Sequence, residues 1–241
     1  MVEIWAHRGA SGLAPENTMA AFRRAVDDGA DGLEFDVQLS SDGQPVVIHD
    51  ETLGRTTNGE GWVKDHTVAE LMMLDASAGQ EGFADARIPQ LAEVLELVAA
   101  AGIKANIELK NSVLNYPGME EIVLAAVGAA GLSETVVYSS FSHASVRRIA
   151  TLAPLAEVGL IYTRPLARPL RTAVSLGATA VHPDRRLVHG AGWITRAHRR
   201  HLKVRAWVVN SPKKMLRLAD RGVDGIFTDH PAVARAAGLG G

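Results

Sequence analysis

Eight short apolar, β-rich runs alternate with longer stretches of helical periodicity from end to end of the 241-residue chain, and few folds accommodate that rhythm. The strand-like runs lie at 3–6, 32–38, 103–109, 135–138, 157–161, 178–181, 204–208 and 225–227. Helical patterns follow at 18–28, 91–101, 119–130, 144–153, 166–175, 192–200 and 212–220. Gly29, Gly102, Gly131, Gly177 and Gly222 stand where helices should end. A helix after nearly every strand predicts an α/β fold, a TIM-like (β/α)8 barrel, for which about 250 residues is typical. A doubly wound sheet is the alternative, but no Gly-rich dinucleotide turn follows the first strand.

One stretch breaks the period. Residues 51–88 are rich in Gly, Asp and Thr, with one helix-like piece at 68–74 and turn chemistry at Thr56-Thr57-Asn58-Gly59. They form a small insertion after the second strand, over the rim of the barrel, too small for a core of its own. The expected organisation is therefore a single domain over 1–241, with the last glycines frayed.

Composition excludes several classes of function. With 25 basic and 27 acidic residues the net charge is -2, which favours neither nucleic acid nor an anionic membrane as partner. The cluster of Arg196, Arg199, Arg200 and Lys203 reads as a solvated helix face. There is no cysteine, so thiolate chemistry and disulfides are excluded, in keeping with a reducing cytoplasm. The chain opens directly into a strand rather than a signal peptide, and no apolar run approaches the ~18 residues of a membrane span. The longest candidate, 122–132, reads as a core-facing helix. A cytoplasmic location without stable membrane insertion is expected; oligomeric state is not legible.

Chemistry enters at Glu34-Phe35-Asp36. Alternate residues of a strand share a face, so both carboxylates project into one space, where two like charges repel unless a proton, a basic partner or a hard cation intervenes. Arg8 or Lys110 could be that partner; Mg²⁺ or Ca²⁺ could be that cation. Glu108-Leu109-Lys110 repeats the layout with an ionisable pair. His7 and His49 also end strand-like runs, and in a barrel such ends converge. The residues together describe a metal-assisted hydrolase. Arg8, before the flexible Gly9, offers a fork of donors suited to phosphate. Asn17 reads mainly as a helix cap, Ser140 as the cap of the helix near 143, and Asp229 as a cap before Pro231. His182 reads as a rim histidine that could touch the leaving group, and Trp207 as either pocket wall or packing.

The ordered set His7-Arg8-Gly9, Pro15-Glu16-Asn17-Thr18, Glu34-x-Asp36, His49-Asp50, Glu108-x-Lys110, Ser139-Ser140-Phe141, Trp207-Val208-Val209-Asn210 and Gly222 through Asp229 resembles the glycerophosphodiester phosphodiesterase family over almost the whole chain. The resemblance implies a barrel with one divalent ion, Mg²⁺ or Ca²⁺ with Mn²⁺ also suitable, held by Glu34, Asp36 and Glu108. It implies His7 and His49 as acid and base, with Arg8 and Lys110 near the phosphate and Trp207 against the substrate. The expected reaction is hydrolysis of a small glycerophosphodiester to glycerol 3-phosphate and an alcohol. Head-group cleavage of lysophospholipids, or a non-catalytic barrel that binds phosphodiesters, are the alternatives.

Overall fold

The computed structural model describes residues 1–188 and 190–241. Its strands are β1 (Glu3–His7), β2 (Gly32–Leu39), β3 (Pro45–Val47), β4 (Lys104–Leu109), β5 (Val136–Ser140), β6 (Glu157–Tyr162), β7 (Ala180–Pro183), β8 (Lys203–Ala206) and β9 (Gly225–Thr228). All except β3 are parallel, and β9 returns to β1, so the sheet closes into the expected eight-stranded barrel. The helices are α1 (Met19–Asp27), α2 (Val68–Met73), α3 (Leu91–Ala101), α4 (Met119–Ala129), α5 (His143–Leu152), α6 (Pro169–Leu176), α7 (Ala191–His198), α8 (Pro212–Asp220) and α9 (Pro231–Ala236). None among the described residues is long and apolar enough to cross a membrane. Arg196, Arg199, Arg200 and Lys203 are all exposed.

Strand β3 is the element the hydrophobic pattern did not show. It has three residues and begins with proline, below the length at which alternation can be read. Its place follows from β2, which outruns β1. The first strand pairs only as far as His7 with Glu34, and β3 folds back antiparallel onto Val37, Gln38 and Leu39 to cover the edge left open.

The barrel's outward face supplies the main core. Ile4, Leu33, Phe35, Val37, Ile107, Leu160 and Ile226 pack against Phe22, Val94, Val98, Val123, Ile149 and Met215 of the helices, all buried. This explains why each strand reads as apolar while carrying polar residues at every second place. The polar residues face inward. Deep inside lie Trp5, Val137 and Phe227, and a Cβ on Gly32 would stand 2.6 Å from the Trp5 ring, so only glycine leaves room for the indole. Below them Arg205, 1 % exposed, stacks on Trp5 and pairs with Glu3 and Glu157.

Three expectations are corrected. The insertion does carry a small apolar cluster, Leu53, Val63, Leu71, Ala76 and Ile88, completed by Val46 and Ile48 at and just after β3. The C-terminus is tied down: Leu239 is buried and the Gly240 amide donates to the Val2 carbonyl at 3.0 Å. The cap of α5 is Ser142, whose hydroxyl accepts from the Ser145 amide; Ser140 instead donates to the Leu109 carbonyl at 2.8 Å, tying β5 to the end of β4.

Candidate active site

Every functional residue expected from the sequence reaches one end of the barrel, the C-terminal ends of the strands. His7 closes β1, Glu34 and Asp36 lie on the inward face of β2, Glu108 near the end of β4, and Lys110 just beyond it. His7, Arg8, Glu34, His49, Glu108 and Trp207 line a cavity of about 260 Å³, together with Asn106, Ser139, Phe141, Ile161, Thr163, His182 and Phe227. No residue from 51 to 87 is among them, so the insertion does not wall the cavity directly.

Glu34, Asp36 and Glu108 are buried, and each offers a carboxylate oxygen within 4.8 Å of the others. Basic groups offset part of this charge. Lys110 Nζ lies 2.8 Å from Glu108 and 3.6 Å from Asp36, and Arg8 Nε lies 3.4 Å from Asp36. The bases share Asp36 and Glu108, and the Arg8 amide donates to Glu34 Oε2 at 2.9 Å. Burial and the neighbouring Asp36 charge push the Glu34 carboxyl up to about 8. Burial alone would raise Asp36 too, but Lys110 and Arg8 hold it below the ordinary carboxylate range. Among the described residues Asp36 Oδ1 accepts no hydrogen bond, Lys110 Nζ standing off at 3.6 Å. Hard oxygen donors from three buried carboxylates, close enough to converge on one point, are what a divalent cation of the Mg²⁺ or Ca²⁺ type fits. The donor set does not choose between those ions.

Both histidines are held by the same device. His7 Nδ1 donates to Asp229 Oδ1 at 2.7 Å, and His49 Nδ1 donates to Asp50 Oδ1 at 2.6 Å, so each ring is fixed through Nδ1 and leaves Nε2 outside that contact. Burial would lower the His7 pKa, but the Asp229 hydrogen bond and the Glu34 charge outweigh it and raise it. Asp229 is itself brought down to about 2: burial opposes ionisation, and His7, Asn210 and Ser11 overcome it. Its expected role as a helix cap is therefore wrong, since His230 occupies that position at the start of α9.

Other supporting residues were missed or misread for the same reason: their partners are remote in sequence. Asn17 does not cap α1, because Thr18 does; its amide donates to Asp36 Oδ2 at 2.9 Å across the barrel mouth. Glu16 clasps Arg8 at 2.7 Å and Arg55 at 2.8 Å, and Arg55 continues to Asp50, linking the two histidine loops through the insertion. Gln38 continues the inward face of Glu34 and Asp36. Its amide donates to the carbonyls of His49 at 3.0 Å and Asp50 at 2.6 Å while accepting from Tyr116 at 2.9 Å. Only its spacing, two residues beyond Asp36, hinted at this.

Trp207 does both things expected of it as alternatives. It lines the cavity, sets its ring edge-on to Phe141 at 5.9 Å, and donates from Nε1 to the His182 carbonyl at 2.7 Å. His182 is not a rim residue: it is 1 % exposed on the inward face of β7.

Comparison with known proteins places the chain in a family. Residues 7–233 match the glycerophosphoryl diester phosphodiesterase family. A glycerophosphodiester phosphodiesterase of Caldanaerobacter subterraneus subsp. tengcongensis is 44 % identical over 95 % of this chain and 94 % of its own. One from Bacillus altitudinis is 42 % identical over 96 % of each. Among solved structures, an Oleispira antarctica phosphodiesterase in complex with the product sn-glycerol-3-phosphate is 31 % identical, with a TM-score of 0.86 over 98 % of this chain and 96 % of that one. A glycerophosphodiester phosphodiesterase from Agrobacterium tumefaciens gives the same identity and TM-score over 99 % of this chain and 100 % of that one.

Proposed function

The chain belongs to the glycerophosphoryl diester phosphodiesterase family and is a phosphoric diester hydrolase; from that premise we propose that it cleaves small glycerophosphodiesters to glycerol 3-phosphate and an alcohol, with Glu34, Asp36 and Glu108 holding one divalent cation and His7 and His49 exchanging the protons. The observation that carries the reading is the meeting of a buried three-carboxylate group with two carboxylate-backed histidines in one cavity. We read 1–241 as one barrel domain serving that cavity.

A phosphodiester is an anion, so attack on it requires that its charge be offset. When bound, the cation supplies Lewis-acid stabilisation of the phosphoryl oxygens, worth several kcal/mol. Arg8 and Lys110 add donors and positive charge for the non-bridging oxygens, and Glu16, by clasping Arg8, fixes where that guanidinium points. The raised pKa of His7 favours its protonated form, which can deliver a proton from Nε2 to the leaving alkoxide. Asp229 stabilises the imidazolium before that transfer. His49, oriented by Asp50, takes the proton of the attacking oxygen, whether that of water or of a neighbouring glycerol hydroxyl. Trp207 and Phe141 form an apolar wall for the substrate.

The cavity of about 260 Å³ lies below the usual range of small-molecule sites and suits a compact diester rather than one that carries a long acyl chain. That supports soluble diesters over lysophospholipids as substrates. Product analysis on glycerophosphocholine, glycerophosphoethanolamine and a lysophospholipid, with and without chelator, tests the reading. Release of glycerol 3-phosphate is expected from the first two, dependent on metal; chelator-resistant turnover, or a preference for the lysolipid, would overturn it.

A further inference from the structure

The near-even charge of the chain conceals a segregation. Residues 1–140 carry 8 basic and 22 acidic side chains, whereas residues 141–241 carry 17 basic and 5 acidic. Such asymmetry between the halves of one domain points to an anionic surface as partner, whatever the net charge. The barrel turns it into two opposite flanks. Around the closed sheet β7 stands four strands from β2 in either direction. The insertion that follows β2, with seven acids and three bases over 51–88, therefore lies across the barrel from α7.

The basic flank is built from α6, α7 and α8. A groove of about 400 Å³ between α6 and α7 is lined by Arg168, Arg171, Arg196 and Arg200 over the apolar Leu170 and Trp193. Beside it, Arg185, Arg186, Lys214, Arg217 and Arg221 gather around α8 and the turn after β7. No acid lines either groove among the described residues. Asp184 pairs with Arg186, but Arg168, Arg171, Arg196, Arg200, Lys214 and Arg217 make no ion pair among the described residues.

This arrangement costs the helices stability. Arg196 and Arg200, like Arg217 and Arg221, stand four residues apart, where like charges on a helix repel. An acid in the first turn would suit the helix dipole, yet α6, α7 and α8 have none, and Lys213 and Lys214 occupy that turn of α8. In the acidic half of the chain, α3 and α4 follow the usual rule, with Glu93 and with Glu120 and Glu121. An anionic surface laid across the basic flank relieves the repulsion.

Two features select a lipid surface over a nucleic acid. The flank is the outer side of a barrel and shows no exposed aromatic side chain for base stacking, Trp193 being buried. A glycerophosphodiester is what remains when both acyl chains are hydrolysed from a glycerophospholipid, so the reaction that supplies such a substrate works at a membrane. In this second respect the choice of partner rests on the proposed activity. We propose that α6, α7 and α8 form a docking face for an anionic membrane, held at the lipid head groups by charge and without insertion. Arg168, Arg185 and Lys213 stand at or before helix starts, the end of the barrel where the cavity opens, so docking brings the mouth to the edge of the bilayer.

The test is sedimentation of the full chain with vesicles of phosphatidylcholine, with or without about a third phosphatidylglycerol. Partition onto the anionic vesicles should exceed that onto the neutral ones by about tenfold or more, and should weaken as salt shortens the reach of the charges. Equal or absent binding overturns the proposal. Lys214→Glu with Arg217→Glu should cut the anionic partition about tenfold or more. Arg23→Glu with Lys64→Glu changes net charge equally in the acidic half, and should leave the partition within about twofold. Equal losses in the two pairs would make net charge rather than the face responsible, and overturn it. Hydrogen exchange on the wild-type protein keeps the test open where a variant does not fold. Anionic vesicles should slow exchange over α6, α7 and α8 and not over the insertion; the reverse pattern, or no change, overturns the face. Tighter binding to duplex DNA than to the vesicles, or a dimer that the vesicles do not dissociate, would assign the face to a nucleic acid or to the acidic flank of a second copy, and likewise overturn it. None of these readouts involves turnover, so failure of the docking face and failure of the proposed activity remain distinguishable.

Discussion

His7 Nδ1 and Asp229 Oδ1 lie 2.7 Å apart, although 222 residues separate them. The contact exists because β9 closes the barrel against β1, placing Asp229, one residue past β9, beside the residue that ends β1. The last turn of sheet closure thus completes the support of a histidine near the N-terminus.

Asp229→Asn tests that support. The amide keeps the shape but not the charge that raises the His7 pKa. We expect kcat to fall by about 10² or more, and the limb of the pH–rate profile that belongs to His7 to move to lower pH. An unchanged profile would show that Asp229 does not act through His7.

Histidine replacement tests the proton roles themselves. His7→Ala and His49→Ala should each lower kcat at least ~10²-fold with the fold intact by circular dichroism, and the double variant should lose far less than the product of the two. Near-wild-type turnover by His49→Ala would remove it from the mechanism.

Metal binding should release a proton. In the metal-free protein the Glu34 carboxyl, raised to about 8, is protonated at neutral pH, and a cation needs it ionised. Calorimetric titration with Mg²⁺ or Ca²⁺ at pH 7, in buffers of different ionisation enthalpy, should report the release of roughly one proton. Affinity should weaken as pH falls. Glu34→Gln should abolish the released proton; its persistence would assign the proton to another group.

Gln38→Leu removes the donor that anchors the His49 and Asp50 carbonyls to β2. The loop would keep its sequence but lose its position. We expect kcat to drop about tenfold or more, as misplacement of a catalytic group usually costs, with faster amide hydrogen exchange over residues 48–50. Full activity with unaltered exchange would show that the loop holds itself.

At the opposite end of the barrel, Arg205→Met leaves Glu3 and Glu157 facing each other without their shared partner. Glu3 keeps Lys104 and Glu157 keeps Lys203, so neither charge is left uncompensated; the loss of the charged hydrogen bonds should cost about 1.5–3 kcal/mol, which in a chain of this size lowers Tm by roughly 5 °C. Burial opposes ionisation of both glutamates, but Arg205, joined by Lys104 at Glu3 and Lys203 at Glu157, more than compensates and lowers their pKa. Their contribution is therefore present above the ordinary glutamate pKa and is lost as pH falls through the lowered values. Thermal melts from pH 7 downward should show the wild-type advantage over Arg205→Met shrinking; a constant difference would mean the arginine acts by packing alone.

Periodicity and local chemistry sufficed for the barrel, because a strand–helix repeat with apolar outward positions leaves few closed solutions. They also sufficed for Glu34 and Asp36 as a carboxylate pair, since alternate residues on a strand share a face whatever surrounds the strand; Glu108 entered the group only through the family resemblance, and the pairing of β2 with β4 sets it opposite Asp36. The site's supporting shell was different. Asp229 on His7, Asn17 on Asp36, Gln38 under the His49 loop and the buried His182 each depend on which strands become neighbours and on what lies across the barrel. Locally, Asn17 and Asp229 fit helix caps equally well, and nothing in the neighbourhood of Gln38 marks it as more than a buried polar residue. A side chain's own sequence neighbourhood sets its direction; only barrel closure sets its partner, and in this protein the partners decide which ring nitrogen is held and which carboxylate keeps its charge.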